Sequence, residues 1–505
     1  MMAAQSQPSG VPVAQLLEGL IQGALPGVEV SGLATDSRLV RAGDLFLASK
    51  GLQVHGISHA AEAVRQGAVA VVWEPVADEV PGRQAEELEV PVVALPGLGK
   101  RLGLIADRFY AHPSREQHVI GVTGTDGKTS VTHFLAQALS GDAACGLLGT
   151  LGYGVYGQLQ TPTHTTPDAV RLQAELARLR DNGIKTVAME VSSHALHQHR
   201  SDGVAFNTAI LTHLSRDHLD YHGSIEAYAD AKRRLFSTPG LETAVLNADD
   251  QFGRQLAGQL QNQVRVIVYG QREHCAGLSA DWIVLEAVTP RTSGLALRLD
   301  TSWGAAEFEA SLLGKFNASN LMAALGGLLA AGMTLDDAVA RLSHVRTVAG
   351  RMELFEERHA PRVVVDYAHT PHALETVLQA LRPHCDGELV CLFGAGGDRD
   401  TGKRPQMGGV AERYADRVVL TSDNPRGEQP QAILTDIAAG LLEPQRVECI
   451  IDRGAAIDVV IAEAAVDDLV LVAGKGHEDT QQIGDRRFAF SDRDRVRQAL
   501  RRYAG

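Results

Sequence analysis

Apolar and polar positions along this chain change period repeatedly. Short unbroken apolar runs alternate with stretches in which apolar residues recur every three or four positions, the pattern of buried strands separated by amphipathic helices. From residue 28 to 113 the runs 44–48, 68–73 and 90–95 predict strands and 60–66 a helix, together a small α/β unit. Pro113, between His112 and Ser114-Arg115, breaks the periodicity and predicts a linker. A second block then runs to about Gly350, with strands expected at 119–122, 186–191, 208–212 and 244–247. A third restarts at 363–366 and continues through 389–394, 417–421 and 469–473. Strand–helix alternation of this kind predicts mostly parallel, doubly wound sheets, whose ligands gather beyond the carboxyl ends of the strands. The expected fold class is α/β in three domains, 1–113, 114–350 and 351–505, the first the smallest.

Composition narrows the function. The 505 residues are 45% hydrophobic and 21% charged, which excludes a disordered or collagen-like chain and leaves room for about three cores. Lys plus Arg number 47 against 61 Asp plus Glu, a net charge of −14. Such a field repels polyanions, so no nucleic-acid partner is expected and any anionic ligand must be held by local design. Cys145, Cys275, Cys385, Cys391 and Cys449 are scattered with no CxxC pair, which suits reduced thiols. The first residues lack the basic start and apolar core of a signal peptide, and the longest apolar stretch, near 321–333, is too short to cross a bilayer. A cytoplasmic protein without a membrane span is expected.

The segment Thr123-Gly124-Thr125-Asp126-Gly127-Lys128-Thr129 follows a predicted strand and opens an apolar helix carrying Val131, Phe134, Leu135 and Ala138. That is the setting of a phosphate loop. Glycines let backbone N–H groups curl toward phosphate oxygens, the helix N-terminus adds partial positive charge, Lys128 adds a full one, and Thr129 can ligate Mg²⁺. The GxxxxGK spacing is met only in its GK[ST] half, because Val122 stands where the first glycine belongs. Such a site needs an acidic residue at a strand end to hold the metal. Glu190 and Asp366 both end apolar runs, and Glu190, in the same block as Lys128, is the better candidate. His194, His197, His199, His213, His218 and His222 cluster after it, but without HExxH or a nearby cysteine they read as loop hydrogen-bonders and not as a zinc site.

TGTDGKTS (123–130), EVSSHAL (190–196), LSRDHLDYHG (214–223), FNASN (316–320), DYAHTP (366–371), GGDRD (396–400), DNPR (423–426) and GKGHE (474–478), with TDSR and GDLF between 35 and 46, follow in order along the chain. Together they resemble the Mur ligase family, and within it the enzyme that adds the third amino acid. The resemblance implies a first domain that grips a UDP-linked substrate, a central P-loop ATPase domain and a Rossmann-like C-terminal domain that brings the amino acid. It implies ATP-dependent amide formation in peptidoglycan synthesis, in which a D-glutamyl carboxylate of a UDP-muramoyl-dipeptide takes the γ-phosphoryl group and the resulting acyl phosphate is attacked by an amine. Thr35, Ser37, Leu52, Gln53 and Val54 would contact the uridine nucleotide. Thr165, Thr166, Ser192, Gln198 and Arg200 would hold the muramoyl-dipeptide, and Asn317 and Asp366 the adenosine. Lys128, Glu190, His218 and Lys232 would be the catalytic groups. Mg²⁺ would be held by Thr129, Glu190, His218 and a CO₂-derived carbamate on Lys232, an anionic oxygen ligand where an ammonium would be repelled.

By the same resemblance the amino acid is bound by Arg399, Asp423, Asn424, Pro425, Arg426, Gly474 and Glu478. Arg426 favours meso-diaminopimelate, since its guanidinium can take a second carboxylate in bidentate fashion and L-lysine has none to offer. An L-lysine-adding counterpart is the alternative. A folylpolyglutamate synthase shares the phosphate loop, but DNPR and the TDSR-bearing first domain count against it. A nucleotide switch would carry NKxD, and none occurs. Two positions depart from the family's pattern near the loop: Asp126 and His213 both stand where asparagine is common. Asp126 adds negative charge near the triphosphate and is expected to weaken ATP binding. His164, before the Thr165-Thr166 pair, is a further departure. A monomer acting on small molecules is expected.

Overall fold

The computed structural model describes residues 10–23, 25–51, 54–75, 87–141, 143–160 and 165–504. Leu52, Gln53 and His164 lie outside them. The chain forms two compact units, Met1–Ile283 with Ala323–Thr334, and Val284–Met322 with Leu335–Gly505.

In the first unit a four-stranded parallel sheet is ordered Gly32–Ala34, Asp44–Ala48, Ala70–Trp73, Val92–Ala94. The three apolar runs expected there form the last three of these strands, Gly32–Ala34 was not expected, and Ala60–Arg65 is helical. The same unit holds six parallel strands in the order Cys145–Gly149, Thr186–Glu190, His118–Thr123, Thr208–Leu211, Thr243–Asn247, Arg265–Gly270. Two antiparallel strands, Gly152–Val155 and Gln158–Gln160, extend the Cys145 side. These two, like Cys145–Gly149 and Arg265–Gly270, were not anticipated; in the first of them Gly152 and Gly154 interrupt the apolar run that a strand signal needs. Val119, Ile120, Val122, Val187, Ala188 and Met189 have no exposed surface, as parallel strands covered on both faces require. Each valine, isoleucine or methionine among them contributes roughly 1.5–3 kcal/mol of hydrophobic stabilisation. Register then decides the site: Glu190 pairs with Val122 and Leu211 with Thr123, so three strands end side by side.

In the second unit Gly294–Thr301 and Gly304–Ala310 form an antiparallel ribbon, which strand–helix alternation had not predicted. A six-stranded sheet is ordered Glu353–Phe355, Arg362–Asp366, Leu469–Ala473, Leu389–Phe393, Arg417–Thr421, Glu448–Ile450, parallel except for the first pair. Asp366 pairs with Ala473, and Phe393 with Leu420. The loops that follow these four strands, carrying DYAHTP, GGDRD, DNPR and GKGHE, therefore emerge at one edge. Thr370 caps the helix Pro371–Leu381 by accepting from Ala373 N, with Pro371 at its first position, where no N–H is needed.

Candidate functional site

The strand His118–Thr123 hands the chain to a loop that turns at Gly124, φ 152°, and Gly127, φ 81°, before the helix Lys128–Leu139. A Cβ on Gly124 would lie 1.7 Å from Thr212 Oγ1, so no side chain is accommodated there. Thr212 donates its hydroxyl to the Asp126 carbonyl at 2.6 Å, and Thr125 N donates to the His213 carbonyl at 2.8 Å, which staples the loop to the neighbouring strand end. Lys128 Nζ folds back onto the carbonyls of Gly124 and Thr125 at 3.0 and 2.8 Å. Burial lowers its pKa, against the pull of Glu190 and Asp126.

Glu190 is buried at the end of Thr186–Glu190 and gathers the site. Its Oε2 accepts from Thr129 Oγ1 at 2.8 Å and Thr150 Oγ1 at 3.1 Å, and its Oε1 accepts from Thr150 N at 2.8 Å. Burial raises its pKa, the Thr150 amide and the Lys128 charge opposing. Thr150 was not among the residues picked from the sequence. No strand was expected at Cys145–Gly149, so the position of Thr150 just past its carboxyl end, where such sheets bind ligands, emerges only from the strand pairing. Thr150 Oγ1 also lies in hydrogen-bond contact with Thr165 Oγ1 at 3.1 Å, and Thr166 Oγ1 donates to the Glu190 carbonyl at 3.0 Å. Ser192 N donates to Thr166 Oγ1 at 3.2 Å, Arg200 Nη1 to the Thr166 carbonyl at 3.3 Å, and Arg200 Nη2 bonds Gln198 Oε1. The five residues expected to hold the dipeptide thus form one hydrogen-bonded shelf beside Glu190.

Lys232, on the helix Ile225–Arg233, is buried, with Nζ 2.6 Å from the Gly124 carbonyl and 4.4 Å above the Tyr228 ring. Burial and the charge of Lys128 bring its pKa down to about 6, which favours the neutral amine. Tyr228 OH reaches Thr125 Oγ1 at 3.2 Å and was also missed in the sequence. His218 is exposed, its backbone left-handed at φ 52° and its ring packed edge-on against His194 at 4.8 Å. Among the described residues, no group of three or more His, Cys, Asp and Glu side chains is set to hold a metal. The two departures from the family's pattern meet, with His213 Nε2 3.5 Å from Asp126 Oδ2.

In the loops around the four-stranded sheet, Thr35 and Val54 are exposed, and Ser37 donates its hydroxyl to Glu62 Oε2 at 2.7 Å. In the second unit, Asn317 is buried and donates to the Leu313 carbonyl at 2.8 Å. Asp366 accepts from Met352 N and Ala368 N, both at 2.7 Å, and burial raises its pKa. Asp423, Asn424 and Pro425 are buried after Arg417–Thr421, and Arg426 is half-buried with φ 49°. Its Nη1 donates to the Gly397 carbonyl at 2.8 Å. Gly474, φ 117°, lets the chain pass Asp423, whose Oδ2 would sit 2.5 Å from an added Cβ. Glu478 Oε2 accepts from Asn424 Nδ2 at 2.8 Å. Arg399 lies exposed on the loop after Leu389–Phe393.

A glycine-turned loop with a lysine, a threonine and a buried strand-end carboxylate on a parallel sheet defines a phosphate-loop α/β protein built for nucleoside triphosphate chemistry. Domain families recognise the chain in three segments: the Mur ligase family catalytic domain at 29–110, the Mur ligase middle domain at 122–328, and the Mur ligase glutamate ligase domain at 350–476. The chain belongs to the Mur ligase family. It is 52% identical over 478 residues, 93% of its length and 95% of the relative's, to the UDP-N-acetylmuramoyl-L-alanyl-D-glutamate–2,6-diaminopimelate ligase of Alkalilimnicola ehrlichii. The enzyme of the same name from Coxiella burnetii is 45% identical over 496 residues, 97% of this chain and all of that one. A solved structure of a UDP-N-acetylmuramoyl-L-alanyl-D-glutamate–2,6-diaminopimelate ligase matches with a TM-score of 0.76 at 34% identity, over 98% of this chain and 100% of that one.

Proposed function

We propose that this chain is an ATP-dependent ligase that joins the D-glutamyl carboxylate of UDP-N-acetylmuramoyl-L-alanyl-D-glutamate to an amino group of meso-2,6-diaminopimelate, in the cytoplasmic assembly of a peptidoglycan precursor. The observation that carries the reaction class is Glu190, one buried carboxylate shared between Thr129 of the phosphate loop and Thr150 at the head of the substrate shelf. The amino acid follows from relatives at 45–52% identity over nearly the whole chain, and from Arg426 in DNPR.

Two anions, a carboxylate and a triphosphate, must be brought together for this reaction. Lys128 exchanges the carbonyls of Gly124 and Thr125 for phosphate oxygens, and the loop amides and helix start add positive potential. Thr129 and Glu190 present hard oxygen donors at the loop that fit Mg²⁺, and His218 and a carbamate on Lys232 would complete the set. Bound there, Mg²⁺ neutralises charge on the phosphates. The neutral amine of Lys232 is the form that adds CO₂, so its environment fits the carbamate. Thr165, Thr166, Ser192, Gln198 and Arg200 orient the dipeptide carboxylate toward the γ-phosphorus. Phosphoryl transfer gives an acyl phosphate and ADP; the amine then attacks the acyl carbon, loses a proton, and phosphate leaves. Arg426 takes the far carboxylate of the amino acid, and Glu478 an ammonium. Thr35, Ser37 and Val54 contact the uridine, and Asn317 and Asp366 the adenosine. The three segments 1–113, 114–350 and 351–505 divide these tasks, and a single chain carries every group required.

The test is phosphate release from ATP by the purified protein. Release should need both the UDP-muramoyl-dipeptide and meso-diaminopimelate, with L-lysine a poor substitute. Equal turnover with L-lysine would overturn the amino-acid assignment, and release that ignores the dipeptide would overturn the reaction.

A further inference from the structure

We infer that Lys475 is a positioning residue for the amino-acid substrate, acting through Asn424 and Glu478. The inference rests on the function proposed above and adds a residue that DNPR and the glycine and glutamate of GKGHE leave out.

Lys475 has no exposed surface, an unusual place for an ammonium. A lysine ammonium has three protons to donate, and three acceptors surround this one: Glu478 Oε2 at 2.7 Å, the Thr480 carbonyl at 2.7 Å and Asn424 Oδ1 at 3.3 Å. The acceptors come from the DNPR loop, the GKGHE turn and the start of the hairpin formed by Thr480–Ile483 and Arg486–Ala489. Gln482 N also donates to Asn424 Oδ1, at 2.9 Å. With two donors on its oxygen, the Asn424 amide has one orientation, and its Nδ2 must face Glu478. Glu478 Oε2 is then occupied twice, while among the described residues Oε1 has no hydrogen-bond partner, and the side chain keeps about a third of its surface open. One carboxylate oxygen is anchored and the other is left for an incoming ammonium.

The charge of Glu478 is held by the same contacts. Burial works to raise its pKa, but the Lys475 ammonium and the Asn424 amide bring it below the ordinary carboxylate value. The hairpin that Lys475 ties down also carries Arg426: Arg426 N donates to the Gln482 carbonyl at 3.1 Å, and Gly484 N to the Arg426 carbonyl at 2.7 Å. Lys475 thus fixes the ammonium acceptor directly and the height of the carboxylate donor through the hairpin. A guanidinium and a free carboxylate oxygen held on one tied framework suit a zwitterionic amino-acid end.

The experiment compares KM for each substrate in Lys475→Met with the intact enzyme. The KM for meso-diaminopimelate should rise about ten- to a hundredfold, the cost of losing a charge-assisted hydrogen bond, while those for ATP and the UDP-muramoyl-dipeptide stay within about twofold. Adding Glu478→Gln to Lys475→Met should cost far less than it does alone, because the two act as one unit. If the Met variant does not fold, Lys475→Gln, which keeps a donor and drops the charge, should show the same split. An unchanged meso-diaminopimelate KM in a folded variant, or an equal loss of affinity for all three substrates, overturns the inference. Absence of meso-diaminopimelate-dependent turnover in the unmodified enzyme would instead overturn the function on which it rests.

Discussion

Lys232 and Glu190 show how burial shifts a base and an acid in opposite directions, each toward its neutral form. The amine, with its pKa brought to about 6, is favoured neutral, and the carboxyl is pushed up by the same desolvation. In protein free of metal and carbamate, Lys232 lowers stability when protonated, so its contribution grows with pH between about 6 and its ordinary 10.5. Glu190 works the other way, its ionisation costing stability as pH rises above its ordinary 4.5. Glu190→Gln should therefore raise the melting midpoint of the metal-free protein by a few degrees while lowering kcat at least about a thousandfold, the trade-off expected when a strained functional charge is removed; calorimetry and a phosphate assay check both. Lys232→Ala should abolish activity, with partial return on adding a short carboxylate, and ¹³C-bicarbonate should give a carbamate resonance in the intact enzyme that the variant lacks. The Asp126–His213 contact bears on the expectation that Asp126 weakens ATP binding. Both side chains are at least a third exposed, so the pair is worth little, and His213→Asn should weaken ADP binding by about two- to fivefold. Asp126→Asn in that background should restore it, which titration calorimetry would read.

The phosphate loop is the element whose geometry the sequence displayed best. Strand, glycine turn, lysine and apolar helix were legible because each leaves a local mark: a β-run, a φ only glycine takes freely, a period near 3.6. Thr150 and Tyr228 were not legible, since what makes them part of the site is register between strands and the approach of a distant helix, neither written in any local pattern. The antiparallel ribbon 294–310 was missed for a related reason: its strands face solvent on one side and lack the unbroken apolar runs of the parallel sheet. Gly124→Ala tests the loop as an element. With φ at 152° and Thr212 Oγ1 at 1.7 Å from the new methyl, the loop must move. A loss of about 2–3 kcal/mol in urea unfolding, together with loss of ADP binding, is expected.

At the scale of the whole molecule, net charge and localisation arguments only excluded partners. The order of motifs along the chain did the positive work. Glu190, Lys232 and the threonine–arginine shelf come from segments up to about 80 residues apart, and the parallel sheet brings them to one edge. The DNPR and GKGHE segments meet in the same way on the second sheet, tied by Lys475. A protein with net charge −14 holds its anionic substrates by these local groups. The proposed reaction turns on a carboxylate capturing a phosphoryl group. If the D-glutamyl carboxylate of the dipeptide is labelled with ¹⁸O and the full reaction is run, one ¹⁸O should appear in each phosphate released, carried over from the acyl phosphate. Unlabelled phosphate from a reaction that makes the amide would contradict the account.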